Sequence, residues 1–296
     1  MIIVRLSGGI GNQMFQYALG RSLSLRNRVD LLLDSSLYES EQAVVEKRAY
    51  SLSPFHITAG FASAEDLLRA NSERISRLSL LVGSLTGWRS SKKKFACIKE
   101  KSVGFDPLPF RIRQENICLD GYWQTEKYFR DVGEEIRNDF TLRQECSVDG
   151  LRLTAEIRNS ESVSLHIRRG DYVHNPRTNS YHGLCSLEYY HNAVRLVEGT
   201  VRCPSFYVFS DDVAWAREHL AVNHPVTFVS DGMLKDYEEL VLMSCCRHNI
   251  IANSSFSWWG AWLNRNPGKI VIAPKQWFAN RQISSKDIVP ERWIKI

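Results

Sequence analysis

The chain has no Cys-x-x-Cys pair, no Asp-x-Asp, no Gly-x-Ser-x-Gly and no apolar run long enough to cross a bilayer. Each absence removes a class of function. The seven cysteines (Cys97, Cys118, Cys146, Cys185, Cys203, Cys245, Cys246) are odd in number and scattered, which argues against a disulfide framework or zinc site and fits a reducing cytoplasm. Without the nucleophile elbow, Ser/His hydrolysis has no support. Asp211-Asp212 is the nearest approach to a metal motif, and no His/carboxylate cluster joins it at ligand spacing, so no metal is expected. The longest apolar stretch, 78–85, is interrupted by Ser79, Gly83 and Ser84. Met1-Ile2-Ile3-Val4-Arg5-Leu6 is too short and too charged for a signal peptide and is expected to be a first strand. A net charge of +5 permits an anionic ligand or membrane surface. There is no aromatic RNA-binding signature and no basic DNA-reading helix, so nucleic acid is not an expected partner.

What is present is a soluble globular composition, 44% apolar and 24% charged, over 296 residues, enough for two domains. The first unit reads as a strand at 2–6, a glycine loop at 7–11, a helix over 12–25 and a continuous apolar strand, Leu31-Leu32-Leu33. Such a strand suits a parallel sheet covered on both faces. Residues 39–116 show only a helical stretch near 64–81 and a basic surface run, Lys92-Lys93-Lys94. From about 151 the pattern becomes regular. Strands read at Val163–Arg168, Phe206–Ser210, Val226–Val229, Asn249–Ala252 and Ile270–Ala273, with helices near Leu187–Val197, Val213–Leu220, Leu234–Ser244 and Phe256–Leu263. This alternation implies an α/β fold with a doubly wound parallel sheet. Two domains, 1–150 and 151–296, are expected.

Ligands of open parallel sheets bind beyond the carboxyl ends of the strands, and three predicted strand ends carry polar clusters there. After 163–168 come Arg169, Gly170 and Asp171; after 206–210 come Asp211 and Asp212; after 249–252 come Asn253, Ser254 and Ser255, directly before a helix. The first belongs to the run His166-Ile167-Arg168-Arg169-Gly170-Asp171-Tyr172, where paired guanidinium forks suit phosphate oxygens. The third can seat an anion on first-turn amides, or be an ordinary cap by Asn253 or Ser254. The loop Gly9-Ile10-Gly11-Asn12-Gln13 starts like a dinucleotide fingerprint but lacks the third glycine, and it lacks the Gly-Lys-Ser/Thr ending of a kinase-type loop.

Ser7 to Ala18, His166 to Tyr172, Phe206 to Asp212, Asn253 to Leu263 and the segment Gly121 to Phe129 together resemble the bacterial α-1,2-fucosyltransferases of glycosyltransferase family 11. Trp123 and Thr125 stand where the family pattern leads one to expect Phe and Ser. The resemblance implies a GT-B fold, two facing Rossmann-like domains with parallel sheets: an N-terminal one with the glycine loop and acceptor side, and a C-terminal one that binds GDP-fucose. It implies inverting, metal-independent transfer of fucose from GDP-fucose to the 2-hydroxyl of a terminal galactose, with no cofactor. It places Arg168 on the β-phosphate, with Arg169 beside it, and His166 and Asp211 on guanine. Ser254, Ser255 and Phe256 then hold the diphosphate, and Asn12 faces it from the other domain. Asp171 is the expected general base, with a turn or an arginine-orienting ion pair as its other reading; His174 and His182 lie in the loop that follows. The implied acceptor is a galactose-terminated oligosaccharide or lipid-linked O-antigen or capsule repeat, met by a cytoplasmic enzyme peripheral at the inner membrane. The alternatives are another nucleotide-sugar transferase on this scaffold and a non-catalytic glycan- or anion-binding protein.

Overall fold

The computed structural model describes residues 1–39, 48–72 and 94–296. They form two compact units, Met1–Arg143 with Lys286–Ile288, and Gln144–Ser285 with Val289–Ile296.

The first unit runs β1 (Ile2–Arg5), α1 (Ile10–Asn27), β2 (Leu31–Asp34), β3 (Gly60–Phe61), α2 (Ala64–Ser72), β4 (Phe95–Lys99), α3 (Leu108–Arg111), β5 (Asn116–Asp120) and α4 (Gly133–Asp139). Its strands lie in the order β3-β2-β1-β5-β4, and every pairing is parallel. β1 occupies the middle, so Ile2, Ile3 and Val4 are fully buried. α1 packs closely on it: a Cβ at Gly20 would stand 2.4 Å from Val4 Cγ2. The helix starts at Ile10 and not at Asn12, because Gly9 takes the N-cap position and its carbonyl accepts from the N–H groups of Asn12 and Gln13. β3, β4 and β5 are strands the hydrophobic pattern did not disclose. The helix expected over 64–81 is described as far as Ser72; residues 73–81, Lys92 and Lys93 lie outside the described residues.

The second unit runs α5 (Val148–Arg158), β6 (Ser162–Ile167), α6 (Gly170–His174), α7 (Pro176–His182), α8 (Leu187–Glu198), β7 (Ser205–Ser210), α9 (Val213–His219), β8 (Val226–Phe228), α10 (Asp236–Cys245), β9 (His248–Ile250), α11 (Ser255–Leu263), β10 (Val271–Ala273) and β11 (Ile294–Lys295). The sheet order is β11-β10-β9-β6-β7-β8, again with parallel pairings. This is the doubly wound order in which the chain works outward from the centre in both directions. Side-chain alternation along β6 sends Val163, Leu165 and Ile167 to one face, where Tyr190, Ala193 and Val194 of α8 cover them. On the other face Tyr207 and Phe209 pack with Ile157, Leu242 and Met243. All six residues of β6 are buried, and the order in which strands are added reverses between it and β9. That topological switch point is where a doubly wound sheet opens a crevice for a ligand.

Candidate functional site

His166, Arg168, Arg169 and the start of α11 stand at the carboxyl ends of the two strands that flank the switch point. Ile167 points into the α8 side of the core, so its neighbour His166 takes the opposite face. His166 is 3% exposed, its ring centroid lies 5.6 Å from that of Phe256, and its Nδ1 has no hydrogen-bond partner. Burial, and then the Arg168 charge, push the imidazole down to about 3, so it is neutral at physiological pH. The sign of the linked stability follows. Above pH 6.5, the ordinary value, the histidine's contribution is full; it is withdrawn as pH falls toward about 3, because the unfolded chain takes up a proton that the folded one refuses. The melting temperature should therefore fall more steeply between pH 7 and pH 5 in the wild type than in His166→Gln; equal slopes would contradict a buried neutral histidine.

The two arginines leave the strand as a pair of ion pairs. Arg168 Nη1 lies 3.1 Å from Asp211 Oδ2, and Arg169 Nε lies 3.1 Å from Asp212 Oδ2. The Arg169 backbone N–H also donates to Asp211 Oδ1 at 2.8 Å, so both oxygens of Asp211 are engaged. Asp212 in turn caps α9, accepting the Trp215 N–H at 3.2 Å. Rings hold the guanidinium groups from the side: Arg169 lies 3.9 Å over Trp215 and Arg168 lies 5.5 Å over Tyr172. Partly exposed pairs of this kind add little stability; their effect is to aim the forks. A Cβ at Gly170 would come within 2.5 Å of Asp211 Oδ2, so a side chain there would push that carboxylate out of its place beside the arginines. Asp171 lies in α6, one residue past that close approach; its side chain and that of His174 fall outside the described part of the molecule.

The third cluster divides its labour differently from the expectation. Asn253 is buried and staples the loops: its Nδ2 donates to the carbonyls of His182, Gly183 and Trp277 at 2.9, 3.2 and 3.1 Å. It is therefore not a cap. Ser254 occupies the N-cap position, but its side chain makes no capping hydrogen bond. Ser255 and Phe256 begin the helix. The first-turn amides of α11 thus point to the switch point without a side-chain cap, the arrangement that receives anionic oxygens. Trp258 and Trp262 form the packed face of this helix, as their spacing predicts.

Asn12 belongs to the first unit, apart from the other predicted site residues. Its Oδ1 accepts from Gln124 Nε2 at 2.8 Å. Gly8, at φ +74°, has no room for a Cβ beside Asn12 Nδ2. Two fully buried glutamines fix the loop. Gln13 donates to the carbonyls of Gly8 and Ala49 at 3.1 and 2.8 Å, and Gln16 accepts from Ser7 N–H at 3.0 Å and donates to the Gly121 carbonyl at 3.0 Å. Sequence reasoning missed this clamp, although glutamines three apart just after a glycine loop were its visible signal. It also missed the fourth polar strand end, Ser230-Asp231-Gly232 after β8. Among the described residues no three His, Cys, Asp or Glu groups gather as they would around a metal ion, and no helix is long and apolar enough to cross a membrane.

The whole chain, residues 1–296, matches the family model described as Glycosyl transferase family 11. An Escherichia coli protein named α-1,2-colitosyltransferase is 34% identical over 100% of this chain and 99% of its own length. A galactoside α-(1,2)-fucosyltransferase 2 of Sus scrofa is 31% identical over 51% of this chain and 47% of its own. Among solved structures, a mutant of Arabidopsis thaliana FUT1 in complex with GDP aligns with a TM-score of 0.54 at 10% identity, over 99% of this chain and 75% of that one. That likeness shows the fold alone, two parallel α/β sheets of the GT-B class.

Proposed function

The chain belongs to glycosyltransferase family 11, and on that premise we propose that it is an inverting fucosyltransferase. It moves L-fucose from GDP-β-L-fucose to the 2-hydroxyl of a terminal β-galactose, without a metal. The observation that carries this reading is the pair of aimed guanidinium groups, Arg168 and Arg169, beside the uncapped first turn of α11 at a topological switch point. As the glycosidic bond to GDP stretches, negative charge grows on the β-phosphate. Fixed donors aimed at that charge lower the barrier without reorganising. Arg168, with Ser254, Ser255 and Phe256, supplies those donors, so a divalent cation is not required to balance the charge. Asp171 is the assigned base for the galactose hydroxyl. The acceptor we assign is an O-antigen or capsule repeat, met at the cytoplasmic membrane surface by a protein with net charge +5.

A second donor deserves a place in the test, because the full-length E. coli relative is named for colitose. Colitose is fucose without its 3-hydroxyl. A site that hydrogen-bonds this hydroxyl rejects the deoxy sugar by roughly 10⁴, whereas an apolar site discriminates by only about 10². The purified chain should be incubated with GDP-fucose or GDP-colitose, with chelator, and with a panel of β-galactosides, and the linkage assigned by NMR. We expect an α-1,2-fucosylated product that persists in chelator. A product linked elsewhere, a preference for GDP-colitose, or loss of turnover in chelator would each reject the corresponding part of the reading.

A further inference from the structure

The carboxyl edge of the second unit also holds a carboxyl group, Glu239, that takes no part in the arginine pairs. α10 connects β8 to β9, two parallel strands, so it runs back against them and its N-terminus emerges at the carboxyl edge. Leu242 and Met243 are its buried face, packed with Tyr207 and Phe209. Glu239 precedes them by three and four residues and so shares that face, one turn nearer the edge. Ser230 Oγ donates to Glu239 Oε2 at 2.8 Å, and the same hydroxyl accepts the Ser210 N–H at 3.0 Å. One hydroxyl thus ties Glu239 to the end of β7, beside Asp211; it uses one lone pair of Oε2, so Oε1 and the second lone pair of Oε2 remain to accept. Burial raises the Glu239 carboxyl to about 7; the Ser230 bond opposes this, while Asp236, Asp231 and Asp211 add to it. His166 sits on the same sheet face, in register with Phe209, with its buried Nδ1 unpartnered and Phe256 against its ring.

An apolar flank, an unpartnered imidazole nitrogen and a carboxyl with an open oxygen are what a purine base asks of its site. Guanine presents two adjacent N–H donors, at N1 and the 2-amino group, which match the two oxygens of one carboxylate. Adenine presents an acceptor at N1 and would leave the carboxylate facing it. The carboxylate that the family resemblance puts on guanine, Asp211, has both oxygens committed to Arg168 and Arg169. We propose that Glu239 reads the guanine of the donor through N1–H and the 2-amino group, while Asp211 holds the arginines in place. This rests on the GDP-sugar reading above.

Calorimetric titration of the full chain with GDP, inosine diphosphate (which lacks only the 2-amino group) and ADP tests it. The wild type should prefer GDP to inosine diphosphate by at least about tenfold. Glu239→Gln should weaken GDP by roughly 10- to 100-fold, the loss of hydrogen bonds to a charged acceptor, and bring the GDP to inosine diphosphate ratio to about one. Ser230→Ala should act in the same direction and more weakly, which secures the result if Glu239→Gln folds poorly. Asp211→Asn should weaken both nucleotides alike and leave their ratio unchanged. A wild-type ratio near one, or a Glu239→Gln variant with its ratio intact, would overturn the proposal. A wild type that prefers ADP, or binds no GDP, would instead bring down the donor assignment beneath it.

Discussion

Arg168→Ala should slow sugar transfer by about a hundredfold or more and leave the protein folded. Removing one donor aimed at charge that develops in the transition state typically costs about 3 kcal/mol, a factor of roughly 10² in rate. Two observations make Arg168 the residue to remove. It stands at the carboxyl end of the central strand β6, where the backbone is anchored on both faces, and its guanidinium is aimed by Asp211 at 3.1 Å and by the Tyr172 ring at 5.5 Å. The fold should survive, because the ion pair lost is about a quarter exposed on each side and Asp211 keeps its bond from the Arg169 N–H. The kinetic signature matters as much as the size. Loss of a transition-state interaction lowers kcat and kcat/KM together, whereas loss of ground-state phosphate binding raises KM with kcat intact. We expect the first pattern, with a melting curve close to that of the wild type. Arg168→Lys should recover only part of the rate, since an ammonium cannot reproduce the planar fork. Wild-type-like kcat in Arg168→Ala would take Arg168 out of the chemical step.

How much of this was legible in the sequence depends on what each element buries. β6, β7 and their helices announced themselves because a strand covered on both faces must be apolar throughout, and their polar residues are then confined to the ends. His166, Arg168, Arg169, Asp211, Ser254 and Ser255 were visible for that reason, Phe256 only through the family resemblance, and all lie along the carboxyl edge of one sheet. β3 was hidden because it is a two-residue, exposed edge strand, and β5 because its burial alternates between buried and half-buried residues. Partnership was illegible where it depends on long-range geometry. Asn253 reads as a cap in sequence and is instead a staple to carbonyls 24 to 71 residues away. Glu239 reads as one acid in the run Asp236 to Glu239. Only the crossover of α10 puts it at the sheet edge while Glu238, next to it, turns to the Ser147 N–H at 2.6 Å.

Trp258→Ala should be the most destabilising single change in the second unit, by about 3–5 kcal/mol. Trp258 is fully buried, with ring centroids 5.1 Å from Trp259, 6.3 Å from Trp262 and 5.4 Å from Trp293. There is little room for collapse to fill the void, because the same helix meets α10 so closely that a Cβ at Gly260 would stand 2.7 Å from Met243 Cβ. Since a domain is stable by only about 5–15 kcal/mol, a loss of this size takes a large part of the total. It should appear as a lower denaturation midpoint with a largely unchanged slope. The helix that Trp258 anchors begins at Ser255, so unfolding removes the first-turn amides proposed above to seat the diphosphate. A ligand bound there should oppose unfolding: GDP at 100 times its Kd returns about 2.7 kcal/mol, part of the deficit and not all of it. At low temperature, where the variant remains folded, kcat should approach that of the wild type, because the Trp258 ring packs against the rings of Trp259, Trp262 and Trp293. A variant with a wild-type midpoint would mean that the tryptophan cluster does not anchor α11. One with a wild-type midpoint and a lost kcat would mean that Trp258 acts in the reaction itself.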